Sequence, residues 1–215
     1  MKIVINSQIS FGEKLKEYTT EQIKNEPMLF SCDYESAYVM GDIITREFLS
    51  KLPEDWKNND TIIDSRVHML MKGWYPCIPG FHHDDVPRER EDGQPEYFNP
   101  SYRSEHIMAL HGGDICPTQF ALGESEFECV DLGNIIYKEW HKEVCDKVNS
   151  QELSIIKAPS NIMIHFNDRT WHQGVKATDN GWRWFGRASR NTGRKPTNEL
   201  RKQVQVYLEN PMEGW

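Results

Sequence analysis

The sequence has 215 residues, 38% hydrophobic and 27% charged, with a formal net charge of −8. This is about the length of one domain and enough to bury a core without cross-links. No apolar run exceeds four residues, Ala37 to Met40 being one, which falls far short of the ~20 residues a membrane-spanning helix needs, and the acidic balance argues against binding duplex nucleic acid through the whole surface.

The five cysteines, Cys32, Cys77, Cys116, Cys129 and Cys145, form no C-x-x-C pair. That fits free thiols in a reducing, cytoplasmic compartment better than a disulfide framework or a cysteine-built zinc site. Met1 to Ser7 has too short an apolar stretch for an export signal, and no membrane partner is expected.

Taken in chain order, residues 2–6 alternate weakly and predict an edge strand. Phe11 to Lys24 has a polar helical pattern. Asp42 to Leu52, apolar at 43, 44, 48 and 49, predicts an amphipathic helix that Pro53 stops. Arg66 to Gly73 reads as a strand, and the prolines of Trp74 to Pro79 keep that stretch extended. Arg88 to Ser104, charged and carrying two prolines, predicts a long loop of the kind that often forms an active-site lid.

Short strands are expected at Ile107–Leu110, Gln119–Leu122, Glu128–Leu132, Leu153–Lys157, Asn161–Phe166, Val175–Ala177, Trp182–Ser189 and Val204–Leu208. One clear helix is expected at Ile135–Val148. Helices followed by many short strands predict an α+β fold with a sandwich or barrel core. The chain is read as a single domain, residues 1–215, with helical support in 1–60, a core at about 61–190 and a C-terminal extension over 191–215.

The densest chemical signal is Phe81-His82-His83-Asp84-Asp85. On an extended chain residues i and i+2 share a face, so His82 aims with Asp84, and His83 with Asp85. Either pair offers an imidazole nitrogen and a carboxylate oxygen to one point. A second imidazole would complete a two-histidine, one-carboxylate metal site with open positions, and His172, in Trp171-His172-Gln173-Gly174, is the best candidate. Further on, Arg183 and Arg187 share one strand face with Phe185 and Ser189. His68, His106, His111, His141 and His165 are read as structural. Trp74, Trp171, Trp182 and Trp184 are read as core, with Trp171 the exception most open to a substrate.

This order resembles the Fe(II)/2-oxoglutarate-dependent dioxygenases. The resemblance rests on His82-His83-Asp84, on His172, on Arg183 after it, on Ile162–Asn167 leading to the distal histidine, and on the turn Thr178–Arg183. It spans residues 64 to 190. It implies a double-stranded β-helix, a jelly-roll or cupin-like barrel; residues 1–60 and 191–215 lie outside the resemblance and are expected to supply helices that buttress the sheet, the N-terminal buttressing helices among them. His82, Asp84 and His172 would hold Fe(II), and 2-oxoglutarate would chelate the iron through its keto acid. Its far carboxylate would pair with Arg183, or with Arg187 at the less frequent offset. O2 would convert this cosubstrate to succinate and carbon dioxide while a C–H bond of the main substrate is oxidised. An aromatic before the ligating histidine, here Phe81, favours His82 and Asp84 over His83 and Asp85. The carboxylate at 84 favours hydroxylation over halogenation.

Rival readings are a cupin-type metalloenzyme without 2-oxoglutarate and a non-catalytic jelly-roll binding module. Arg183 discriminates against the first, because it has work only where there is a dicarboxylate to hold. Residues 183–202 carry a local net charge of +6. The segment reads as a solvated tail or as a patch for phosphates. A small-molecule substrate is therefore expected, with a nucleotide or single-stranded nucleic acid as the alternative partner.

Overall fold

The computed structural model describes residues 1–208. The N-terminal strand β1 (Lys2–Ser7) is followed by β2 (Ser10–Lys14), α1 (Thr20–Asn25), β3 (Leu29–Phe30), α2 (Tyr34–Met40) and α3 (Ile43–Ser50). The expected helix over Phe11 to Lys24 is thus strand to Lys14, coil over 15–19 and helix only from Thr20. Ser10 and Phe11 pair with a later strand, and at Gly12 the His165 side chain lies so close that a Cβ would sit 2.8 Å from its Nε2. The helix is capped at Thr19, where a capping box with Gln22 satisfies the free amides.

The rest of the chain supplies β4 (Ile62–Leu70), β5 (Glu105–His111), β6 (Thr118–Glu128), α4 (Ile136–Asn149), β7 (Ser154–Lys157), β8 (Ile162–Asn167), β9 (Trp171–Gly174), β10 (Gly181–Arg190) and β11 (Glu199–Leu200). Glu128–Leu132 leaves the sheet at Glu128. Val175–Ala177 is coil, the strand there being β9. Val204–Leu208 forms no strand, its one pairing among the described residues being a bridge between Tyr207 and Tyr75. No helix forms within the described part of the C-terminal extension, whose last residues, 209–215, lie outside the described structure.

The fold is mixed α+β, and every strand pairing described is antiparallel. One sheet has the order β2-β8-β5-β10-β4. A second has the order β1-β6-β7, with β9 also on β6, and β11 pairs with β3 in a small third sheet. Period-two alternation sorts the residues of the larger sheet. Ile63, Val67, Ile107, Ala109, Trp184 and Ala188 face outward onto Ile44, Phe48 and Leu49 of α3, so the N-terminal helices buttress this sheet. Each buried Ile, Val, Leu or Phe of this set contributes roughly 1.5–3 kcal/mol. Met108, Leu110, Ile164 and Phe166 face the other way and meet Phe120 of β6. The inner faces of the two sheets therefore share a core.

On the outer side of the smaller sheet, α4 lays Ile136, Tyr137, Trp140 and Val144 against Ile3, Ile5, Phe127 and Trp171. Trp171 is fully buried there and is a core residue, not a surface for substrate. The loop over 88–104 has no regular structure. Its Tyr97 is buried in the same cluster, so the loop is fastened to α4 and does not line the cavity described next. No helix among the described residues is long and apolar enough to cross a membrane.

Candidate metal centre

Between the sheets lies a cavity of about 530 Å³. Its floor is the inner row of β4 and β10. In register, Arg187 stands opposite Asp64, Phe185 opposite Arg66, and Arg183 opposite His68. Facing residues of an antiparallel pair point to one side, so this single face carries six cavity-lining side chains.

His82, Asp84 and His172 meet at one edge, each offering a donor atom within 4.8 Å of the others. His172 Nε2 is 3.2 Å from Asp84 Oδ2, and His82 Nε2 is 3.7 Å from Asp84 Oδ1. The two histidines are also joined through the backbone. The His82 amide donates to the His172 carbonyl at 3.0 Å, and the His172 amide returns the bond at 3.2 Å. Each Nδ1–H is used locally, His82 donating to the Gly80 carbonyl at 2.8 Å and His172 to the Thr170 carbonyl at 2.9 Å. A carbonyl can only accept, so the proton sits on Nδ1 and the Nε2 lone pair is turned toward the carboxylate. That is the tautomer a metal requires, and the donor set fits a divalent ion.

The charge states agree with this. Burial, aided by the neighbouring His172, pushes His82 down to about 4, so it is neutral at pH 7. Burial disfavours the ionised form of Asp84, but Arg187 and His172 outweigh it and hold the carboxyl well below its ordinary range.

The other pair does not converge. His83 stacks on Trp171 with ring centroids 3.7 Å apart and shares a 2.7 Å hydrogen bond with the Tyr97 hydroxyl. Asp85, with φ of 50°, turns to Arg194 and Arg187.

The two arginines differ in what surrounds them. Arg187 touches Asp84 directly and lies 3.8 Å from both Asp64 and Asp85. Arg183 is 3% exposed, and its hydrogen bond is to the Thr118 hydroxyl at 3.2 Å. Its Nε has no hydrogen bond, and no carboxylate among the described residues pairs with it. Burial lowers its pKa. A buried guanidinium without a counter-ion is costly, and the cavity it faces is where an anion would relieve that cost.

The basic stretch 183–202 is not one patch. Arg187 and Arg194 turn to Asp64 and Asp85, and Arg190 to Asp55 and Glu105. Lys195 and Lys202 are exposed.

Sequence reasoning missed part of the wall. His68 lines the cavity. So do Asp64, Arg66 and Thr118, and so do Arg201, Gln203, Gln205 and Tyr207 from the C-terminal segment. The alternation Asp64-Ser65-Arg66-Val67-His68 was the available signal for the first three, since it puts charged and polar groups on one face of a strand. Nothing in the extended segment 201–207 marks it as part of a cavity.

No protein-family model matches the sequence, and no curated protein does. Among solved structures, the iron-bound HygX from Streptomyces hygroscopicus aligns with 8% identity and a TM-score of 0.37, over 91% of this chain and 84% of its own. At that level of likeness, a functional assignment rests on the site itself.

Proposed function

We propose that the protein is an Fe(II)- and 2-oxoglutarate-dependent dioxygenase built on a double-stranded β-helix, acting on a small molecule in the cytoplasm. One observation carries the reading. Two imidazoles with committed Nδ1 protons and one ionised carboxylate converge on a cavity whose wall also holds a buried arginine with no carboxylate partner among the described residues. His82, Asp84 and His172 are the ligands in this reading, and Arg183 with Thr118 holds the far carboxylate of 2-oxoglutarate. A guanidinium suits that task through paired charge-assisted hydrogen bonds.

The chemistry supplied by bound iron is activation of O2, with 2-oxoglutarate giving succinate and carbon dioxide and one oxygen atom entering a C–H bond of the substrate. The chain's own residues position and exclude. Arg187 keeps Asp84 ionised and fixed. Phe166 and Phe185 line the cavity with apolar surface, limiting water around the reacting carbon. Free thiols at all five cysteines support the reducing compartment.

Anaerobic titration of metal-free protein with Fe(II) and then 2-oxoglutarate tests the reading. A weak visible charge-transfer band is expected, absent in His172→Ala and weakened in Arg183→Ala. Iron binding without a band in the wild type would favour the cupin-type alternative, and no iron binding would overturn the metal site.

A further inference from the structure

The cavity wall holds more positive charge than this chemistry uses. Four arginines, Arg66, Arg183, Arg187 and Arg201, line it against two aspartates, Asp64 and Asp84. A divalent ion and a dicarboxylate cancel each other, so the positive excess persists when both are bound. Arg194 and Asp85, behind the wall, also cancel.

The excess resides at Arg66 and Arg201. Arg66 is half-buried in the inner row of β4, and its guanidinium makes no hydrogen bond or ion pair with any described residue. Arg201 comes from the C-terminal segment. Its Nε and Nη2 are buried without a hydrogen bond. Its carboxylate neighbour is Asp64 at 3.8 Å, and Asp64 is already engaged by Arg194 at 2.8 Å and the Ser31 amide at 3.0 Å. Burial, and then the charge of Arg66, lower the pKa of Arg201, which places the two guanidiniums within each other's field. Two guanidiniums lining one cavity, with N–H groups left without a hydrogen bond, form a site for an oxyanion.

We propose that Arg66 and Arg201 bind an anionic head group, a carboxylate or a phosphate, on the substrate that is oxidised. The proposal rests on the dioxygenase reading and names its substrate class. Arg66 lies one strand repeat, roughly 7 Å, from Asp64, and Asp64 is joined through Arg187 to Asp84. An anion held there leaves the adjoining carbon skeleton over Phe185 and Phe166, beside the ligand triad.

Protein loaded with Mn(II) under argon and saturated with 2-oxoglutarate is titrated calorimetrically with phenyl phosphate and, separately, with benzoate, which distinguishes the two head groups. One probe is expected to bind the wild type. Arg66→Gln and Arg201→Gln should each weaken it about tenfold or more, Arg66→Lys less, with 2-oxoglutarate affinity changed by less than about threefold. The bound probe should also raise the melting temperature of the wild type but not that of Arg66→Gln, a readout that shows the variant is folded.

Failure of both probes to bind the wild type, undiminished binding in Arg66→Gln, or loss of 2-oxoglutarate binding in Arg66→Gln would overturn the proposal. The last outcome would assign Arg66 to the cosubstrate. Failure of the dioxygenase reading is separate: 2-oxoglutarate would not bind the Mn(II) protein, or would bind Arg183→Gln equally well. The same titration without 2-oxoglutarate then decides the anion site, a tenfold loss in Arg66→Gln supporting it and no loss overturning it.

Discussion

Arg183 and Asp64 show two ways of burying charge in one cavity wall. Arg183 has no carboxylate among the described residues, so its burial is uncompensated until an anion arrives. A buried charge without a counter-ion is costly, and an apolar side chain of similar length removes that cost. Arg183→Met should therefore raise the melting temperature of ligand-free protein while abolishing its stabilisation by 2-oxoglutarate, a pair of results readable from one set of thermal melts. Asp64 is the reverse case. Burial would raise its pKa, but Arg187 and Arg194 prevail and lower it. A carboxylate with a depressed folded pKa contributes stability that is full above its unfolded value, about 3.9, and is lost as pH falls through the folded value. Asp64→Asn should cost about 3 kcal/mol at neutral pH, and the gap to wild type should shrink below pH ~3.9. Urea unfolding of both proteins at pH 7 and pH 3 checks this.

The N-terminus of α3 is held from a distance. Asp42 precedes the helix, where an aspartate ordinarily caps, yet its side chain makes no capping bond. Buried Glu26, at the end of α1, instead accepts the amides of Asp42, Ile44 and Thr45 at 3.1, 3.1 and 2.9 Å. Glu26→Ala should cost about 2 kcal/mol and Asp42→Ala less than about 0.5 kcal/mol in guanidinium unfolding. The same contrast marks what was legible in the sequence. The extent of α3 could be read because its apolar spacing is local. The strands around Ile107, Ile162 and Trp182 could be read because β-branched and aromatic runs sit between turn residues. That Glu26 caps another helix, that Ser10–Lys14 joins β8, and that residues 201–207 close one side of the cavity all depend on long-range pairing that leaves no local pattern. The H-x-D spacing brought His82 and Asp84 together on paper. The separation of His83 from them was not readable, because it depends on Trp171 and Tyr97 being packed behind the sheet.

For the molecule as a whole, burial keeps histidines neutral. His68 is pushed down to about 3 and His82 to about 4 by burial and neighbouring positive charge, and burial lowers His83 and His106 well below the ordinary value. In the unfolded chain each takes up a proton near pH 6.5, while the folded protein resists. The unfolded state thus binds more protons, and stability must fall as pH drops below ~6.5, by up to roughly 1.4 kcal/mol per pH unit for each such histidine. The urea midpoint should be clearly lower at pH 5.5 than at pH 7.5, a larger change than the aspartates produce in that window. Arg201, Gln203, Gln205 and Tyr207 extend the cavity wall beyond the stretch 64 to 190, which carried the family resemblance.

The reciprocal backbone bonds between His82 and His172 fix how far apart the two ligand positions stand, since a hydrogen-bonded antiparallel pair holds its Cα atoms about 5.5 Å apart whatever the side chains. Donor placement is thereby a property of the main chain and donor chemistry a property of the residue. A thiolate or carboxylate introduced at 82 or 172 inherits the same aim, so the preference of this frame for one metal over another can be rewritten one side chain at a time.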